Sequence, residues 1–281
     1  MKPSCVAACA ATALALSTAL SAQWPPYPGA NVPKGADGKP NLAAPAPRTA
    51  EGRIDFTGIW QSRGQGGRGQ AGQPALPNAS EGPPVATFRD VAANFKEGLP
   101  LQTWAADLIK KRRADNQKDN PDALCLPMGF MQFHTHGQPR KMVQTPGLIV
   151  IMYEPNYGLR QVFMDGRPLP NNDPQPWWHG YSIGKWEGDT LVVETIGLRD
   201  GGWLDIWGTP FTDGAKVTER FRRPTFGTLE IDITIDDPKA YTKPWTVRVN
   251  QRLMVDGELI EFICNENDKF TSYLSGKFTP K

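Results

Sequence analysis

The sequence predicts a mainly β protein in which an antiparallel meander closes into a barrel. Between Gly147 and Cys264, short runs of apolar, β-branched and aromatic residues follow one another. Turn signals such as Asp165-Gly166 separate some of these runs, and no long helical pattern interrupts them. Consecutive strands at this spacing are expected to pair as hairpins. A meander of this length closes into a barrel or stacks as a sandwich, because open sheet edges promote aggregation.

The first residues of the chain have the pattern of a secretory signal peptide. Lys2 supplies a positive charge, and Val6 to Leu20 is apolar but too short to span a bilayer. Small residues before Gln23 favour cleavage there, so residues 1–22 are predicted to be removed. We therefore expect an exported protein, periplasmic or extracellular. No later segment is long and apolar enough to predict a membrane span.

The mature chain is predicted to be a single β-barrel domain preceded by an arm. Residues 23–53 are rich in Pro, Gly, Ala and Asn and lack periodicity, which indicates an N-terminal arm. Residues 54–281 have a size that is normal for one all-β domain. Within this domain, the Gly/Gln/Pro-rich stretch 64–84 predicts a flexible loop, and 85–118 predicts a helical region.

Two helices are predicted in this helical region, before the run of strands. Apolar residues at helical spacing predict a first helix over 85–95. Thr103 is placed to cap a second helix over 104–117, whose last turns are basic, as the helix dipole favours. The segment 125–146 is expected to be a loop. The strands predicted to follow are 148–154, 159–164, 182–186, 190–196, 216–221, 228–235, 245–253 and 258–264.

The charge and the cysteine content restrict which class of partner and which cellular compartment are expected. The formal net charge is only +2, and no Lys/Arg cluster is interleaved with aromatic residues, so nucleic acid is not an expected partner. Cys125 and Cys264 remain after the predicted cleavage, and an oxidising compartment favours one disulfide between them. Two buried free thiols are the alternative. Neither cysteine belongs to a C-x-x-C pair, which argues against zinc at these residues.

Side-chain alternation assigns polar residues to the inner face of two predicted strands. In 216–222 the basic and hydroxyl residues share one face, which places Glu219 inward between two apolar residues. The same pattern in 245–253 places Gln251 inward. A buried carboxylate needs a partner, or its pKa rises. Glu219 is therefore either in a structural ion pair with an inward arginine such as Arg160, or a catalytic acid or base.

All three histidines are candidate site residues. If the segment around His134 and His136 is extended, the two imidazoles lie on one face within reach of one metal ion. His179 could supply a third ligand to a divalent transition metal if its segment folds back beside them. The alternative is two loop histidines and one histidine packed against aromatic residues, with no cofactor. His179 is also a candidate catalytic residue together with Glu219.

Aromatic residues are numerous for one domain. Buried tryptophans usually pack a core. Those in predicted loops, notably Trp177, Trp178, Trp203 and Trp207, are better placed to line the mouth of a barrel, where they could stack on a ring-containing molecule. Trp177, Trp178 and the neighbouring Tyr181 are expected to frame this mouth. Together with Arg160 and Gln251, they form the predicted ligand-binding set.

Several motifs resemble those of known families. Gly58-Ile59-Trp60 is similar to the G-x-W entry of lipocalin-type (calycin) barrels. Most of the chain after about Ala92 resembles a large family of secreted, functionally uncharacterised bacterial proteins. This second resemblance implies a Gram-negative-type exported protein with a lipocalin-like barrel, and it implies no catalytic residue. The motifs that carry it are 119–122, 125–129, 139–146, 165–168, 184–195, 218–221 and 236–245.

These observations favour an exported barrel that binds a small apolar or ring-containing molecule in its cavity. The alternative is a periplasmic enzyme of isomerase, lyase or hydrolase type, with or without a metal at His134, His136 and His179. A third hypothesis is an envelope protein whose loops bind a protein partner that the sequence does not identify. The sequence leaves open whether the protein is an enzyme.

Overall fold

Nine strands form a closed barrel in the computed structural model, which describes residues 32–62, 82–170 and 175–264, apart from the side chain of Tyr157. Strands that follow one another in sequence are neighbours in the barrel, and β1 pairs with β9 to close it. The predicted fold class is confirmed. The strands are β1 (Gly58–Ser62), β2 (Arg140–Gln144), β3 (Leu148–Tyr153), β4 (Leu159–Phe163), β5 (Tyr181–Glu187), β6 (Thr190–Ile196), β7 (Lys216–Thr225), β8 (Thr228–Asp236) and β9 (Trp245–Met254).

One strand pair departs from the predicted antiparallel meander. β4 and β5 run parallel, with Val162 opposite Ser182, whereas every other neighbouring pair of these strands is antiparallel. A parallel pair cannot be joined by a tight hairpin, because the chain must cross from one end of the pair to the other. The described parts of the connection between the two strands are residues 164–170 and 175–180. The parallel pairing is the structural reason for the long connection between β4 and β5.

The helical region contains one of the two predicted helices. Helix α1 spans Thr103–Ala114, and the predicted threonine cap is wrong because Gln102 is the N-cap and makes no side-chain capping bond. The predicted helix over 85–95 is also wrong. Ala86 N donates to the carbonyl oxygen of Arg248 in β9 at 2.9 Å, so the segment starts as an extended bridge and continues through turns.

Two further boundaries differ from the prediction. The expected loop at 125–146 contains a second short helix, α2 (Phe130–Thr135), as well as β2. The predicted last strand at 258–264 is irregular in the structure. The reason is the closure of the barrel: β9 already pairs with β1, so neither strand offers a free edge to a further strand.

Helix α2 fills the lumen of the barrel. All six of its residues are buried. The Phe133 ring lies 4.4 Å from that of Tyr153 in β3, and the His134 ring lies 6.0 Å from that of Phe221 in β7. Gln251 of β9 donates to the backbone oxygen of His134 at 3.1 Å. Because these partners belong to different walls of the barrel, α2 occupies the space that they enclose.

The described part of the N-terminal arm, residues 32–53, contacts the outside of the barrel. Phe226 N donates to Ala44 O at 2.7 Å beside the β7–β8 turn. Arg48 forms two hydrogen bonds with the carboxylate of Asp189, at 2.8 and 2.7 Å, beside the β5–β6 turn. The predicted signal peptide and most of the predicted loop 64–84 lie outside the described residues.

The two cysteines of the predicted disulfide are paired. Cys125 and Cys264 are 139 residues apart in sequence, and their Cα atoms lie 5.6 Å apart with the sulfurs at bonding distance. The pairing links the segment before α2 to the segment after β9. Among the described residues, no helix has the length and apolar character needed to cross a membrane.

Candidate functional site

A buried polar cluster lies in the lumen against β4, β5, β6 and β7. The strand register explains its composition, because Ser182 lies opposite Thr195 in the β5–β6 pair and Glu219 follows on the same inner face of β7. Arg160 projects inward from β4. All four side chains are at most 2 % exposed. Polar groups at this depth must bond to one another, since water does not reach them.

Arg160 and Glu219 form a bidentate ion pair at the centre of the cluster. Arg160 Nη1 donates to Oε1 of Glu219 at 2.9 Å, and Nη2 donates to Oε2. The same guanidinium donates from Nε to Ser182 Oγ at 3.1 Å and from Nη2 to Thr195 Oγ1 at 2.8 Å. The structural ion pair, one of the two alternatives that the sequence left open for Glu219, is therefore present.

The electrostatics of this pair keep both groups charged. Burial acts to raise the pKa of Glu219, but the charge of Arg160 and the hydrogen bonds from His134 and Arg160 outweigh burial and hold the pKa at about 2. Burial also acts to lower the pKa of Arg160, and the carboxylate of Glu219 reverses that effect and raises it. A catalytic acid with a raised pKa, the other alternative for Glu219, does not fit this environment.

His134 connects α2, the plug helix that fills the lumen, to the ion pair. Its Nε2 lies 2.8 Å from Oε1 of Glu219, and Arg140 Nη1 lies 3.3 Å from its Nδ1. Burial lowers the pKa of His134 in spite of the opposing effect of Glu219. The imidazole is thus neutral, and its partners assign the tautomer in which Nε2–H donates to Glu219 and Nδ1 accepts from Arg140.

A cleft of about 480 Å³ opens beside this cluster at one end of the barrel. Trp177, Trp178, Tyr181 and Phe163 line its walls. Trp177 is 52 % exposed, and its ring lies 6.0 Å from that of Tyr181. The cleft therefore combines an aromatic wall with access from solvent.

The described end of the connection between β4 and β5, residues 175–180, lines the cleft. Trp177 N donates to Gly197 O at 2.9 Å, and Arg199 N donates to Trp177 O at 2.8 Å, which anchors the end of the crossing beside β6. Gly180 then turns the chain into β5 with φ +63°, a left-handed conformation that favours glycine. A Cβ atom at Gly180 would also lie 2.7 Å from Thr195 Cγ2, so the turn has no room for a side chain.

His179 lies where the cleft meets the buried cluster. Its ring packs edge-on against Phe133 of α2, with centroids 4.8 Å apart, and lies 6.0 Å from that of Tyr153. Burial lowers the pKa of His179 to about 3, and the charge of Arg160 acts in the same direction. Its Nδ1 atom is buried and has no hydrogen-bond partner among the described residues. His179 is therefore a neutral imidazole with an unused polar atom at the cleft.

The structure brings together five of the predicted site residues. Arg160, Trp177, Trp178, His179 and Tyr181 all line the cleft. The sequence argument placed the three aromatic residues at a barrel mouth, and in the structure they lie together in the lining of this cleft.

The other predicted site residues lie elsewhere in the lumen or at its edge. Glu219 is fully buried behind Arg160, and Gln251 contacts the plug helix rather than the cleft. His136 ends α2, and its ring packs edge-on against Phe88 with centroids 4.5 Å apart. The expectation of an extended segment around His134 and His136 is wrong. Because the segment is helical, side chains two residues apart point in different directions.

The three histidines do not all lie at one point. The rings of His134 and His179 lie 6.2 and 6.0 Å from that of Tyr153, whereas the ring of His136 packs against Phe88. Within the described ranges, no three His, Cys, Asp or Glu side chains are grouped so that they could hold a metal ion.

Several residues of the cluster and cleft were missed in the sequence. Ser182 and Thr195 could have been found, because alternation along β5 and β6 places them on the inner face. Arg140 was missed because its strand, β2, was predicted to be a loop. Arg199, which lines the cleft, follows β6 in a segment without periodicity, and only its proximity to Trp177 in the fold identifies it.

Comparisons with known proteins identify no relative. The chain matches no protein-family model, no curated protein and no solved structure. The closed nine-stranded barrel is compatible with the lipocalin-like architecture that the sequence motifs imply. The resemblance to a secreted bacterial family remains a prediction.

Proposed function

We propose that the protein binds a small, ring-containing molecule in the cleft beside the Trp177–Tyr181 segment. The observation that carries this proposal is the cleft of about 480 Å³, with aromatic walls and a polar base formed by Arg160, His179 and Ser182. Binding sites for small molecules commonly have volumes of about 300–1,000 Å³, apolar walls and a few placed polar groups. The cleft has each of these properties.

The polar base of the cleft is held in place before any ligand arrives. Arg160 donates to Ser182, Thr195 and Glu219, so its guanidinium is fixed by three successive strands, β5, β6 and β7. A preformed base lowers the entropy that binding would otherwise lose. The cluster in the lumen therefore supports the cleft rather than forming a second cavity.

Binding without catalysis accounts for the site better than acid–base chemistry does. Glu219 and His134 are satisfied by each other and by Arg160, and both are fully buried. His179 is the one candidate catalytic residue that lines the cleft, and its pKa of about 3 is far below the range in which a general acid or base works best at neutral pH.

An exported location fits the same proposal. The disulfide between Cys125 and Cys264 is of a kind that forms in oxidising compartments. Together with the predicted signal peptide, it supports a binding protein that meets its ligand outside the cytoplasm.

Isothermal titration calorimetry with 2-naphthol, 2-naphthamide and 2-naphthoate tests the proposal. We expect at least one of these probes to bind the wild-type protein and to lose about tenfold or more in affinity with Trp178→Ala. Trp104→Ala is the matched control, because Trp104 is 45 % exposed on α1 and does not line the cleft. Absence of binding by all three probes, or an equal loss in both variants, would refute the proposal.

A further inference from the structure

The charges that line the cleft are all of one sign among the described residues. Arg160 and Arg199 are the charged side chains of the lining, and no Asp or Glu belongs to its described part. The two arginines differ in what surrounds them, and the difference identifies which of them can act on a ligand.

The charge of Arg160 is already compensated inside the barrel. Both of its terminal nitrogens donate to the carboxylate of Glu219, and its remaining bonds go to Ser182 and Thr195. The pair Arg160–Glu219 is neutral as a unit. Arg160 therefore shapes the base of the cleft but adds little net charge to it.

Arg199 is the uncompensated cation of the cleft. It is exposed, and its guanidinium lies over the Trp178 ring, 5.1 Å from the ring centroid. It forms no ion pair with a carboxylate of the described residues. Stacking on the tryptophan holds the guanidinium against the aromatic wall while its N–H groups stay available.

His179 adds an unused polar atom on the same lining. Its Nδ1 is buried without a hydrogen-bond partner among the described residues. A neutral imidazole carries one N–H, which can be on Nδ1 and donate to an acceptor. Because the imidazole is neutral, the positive charge of the lining comes from its arginines.

We infer that the ring-containing ligand carries an anionic group, a carboxylate, that pairs with Arg199 while its ring packs on the aromatic wall at Trp178. This inference rests on the proposed function and names the chemical class of the ligand. A cation would be repelled by the lining and would find no carboxylate partner in its described part. A monoanion matches the single uncompensated charge, whereas a phosphate dianion would be left half paired.

Calorimetric titration with 2-naphthoate and 2-naphthamide at pH 7.5 tests the inference, because the two probes share a ring and differ in charge. We expect the wild-type protein to bind 2-naphthoate about tenfold or more tightly than 2-naphthamide, since a charge-assisted hydrogen bond contributes at least that factor. Arg199→Gln should remove this preference, because it weakens the binding of 2-naphthoate far more than that of 2-naphthamide. Retained binding of 2-naphthamide also shows that the variant is folded.

Arg113→Gln is the matched control. Arg113 lies over the Trp207 ring at 4.4 Å, so it has the same kind of stacking outside the cleft, and its loss should leave the preference intact. Equal affinities for the two probes, or a preference that survives Arg199→Gln, would overturn the inference while the proposed function stands. If neither probe binds and 2-naphthol does not bind either, both proposals fail.

Discussion

The neutral imidazole of His179 should make the folded protein sensitive to mild acid. Its pKa is about 3 in the folded state, against 6.5 for an ordinary histidine, because burial and then the charge of Arg160 disfavour the imidazolium. The unfolded chain takes up a proton as the pH falls below 6.5, and the folded protein does not. Stability is therefore present above pH 6.5 and is lost as the pH falls towards 3.

The magnitude follows from these two values. One pKa unit corresponds to about 1.4 kcal/mol. The shifted pKa of His179 should therefore lower the free energy of unfolding by about 1.4 kcal/mol between pH 7.5 and 5.5. The full difference between the folded and unfolded pKa of His179, which takes effect near pH 3, corresponds to a loss of about 5 kcal/mol in the free energy of unfolding. Burial also lowers the pKa of His134 and of His136, so both should add to the loss with the same sign. The wild-type loss between pH 7.5 and 5.5 should thus exceed that of His179 alone.

Urea denaturation at pH 7.5, 6.5 and 5.5, followed by tryptophan fluorescence, measures this loss. The variant His179→Gln should lose about 1.4 kcal/mol less than the wild-type protein between pH 7.5 and 5.5. Any packing defect of the variant cancels, because only the difference between two pH values is compared. Gln161→Ala, at an exposed position on β4, should keep the wild-type dependence. A variant His179→Gln with the wild-type dependence would show that the folded imidazole titrates normally.

Three further perturbations test the buried groups and the disulfide by urea denaturation. Glu219→Gln should lower the free energy of unfolding by about 3–5 kcal/mol, because it leaves Arg160 buried without a counter-charge. The control Asp189→Asn, in a surface ion pair, should have a far smaller effect. Equal effects of the two substitutions would contradict the buried ion pair. Arg140→Met should raise the free energy of unfolding by about 1–4 kcal/mol, because removing a buried cation should outweigh the loss of its hydrogen bond to His134. Arg140 is 1 % exposed, Nε and Nη2 have no partner among the described residues, and burial lowers its pKa to about 9. A marked loss of stability would show that this charge is compensated. Reduction of the disulfide should lower the free energy of unfolding by about 4–5 kcal/mol, because it frees a loop of 139 residues, and unchanged midpoints would argue against the bond.

Local periodicity was sufficient to predict the inner faces of the later strands. Glu219 and Gln251 were placed inward from the two-residue alternation of their strands, and both are fully buried. This succeeds because the side-chain direction in a strand depends only on the strand itself. Arg160 was named as an example of an inward partner for Glu219, but the contact of Glu219 with His134 could not be predicted, since His134 reaches it from a distant helix.

The features that were not predicted from the sequence depend on tertiary structure. The segment at 85–95 has helical spacing of apolar residues, but its backbone bonds to β9 instead. Helix α2 has six residues, too few for a periodic signal, and is stable because the barrel surrounds it. The parallel pairing of β4 with β5 depends on a crossing whose direction no local pattern specifies.

The plug helix also constrains the order in which the chain can fold. Phe130–Thr135 lies between β1 and β2 in sequence but inside the closed barrel in space. The pairing of β1 with β9 is the seam that closes the barrel. It joins Trp60 to Leu253, which are separated by most of the chain. The walls cannot close before the helix is in place, so this seam should be among the last contacts to form. Contacts between such distant residues form slowly, and until they do, the edges of β1 and β9 remain open to pairing with other chains.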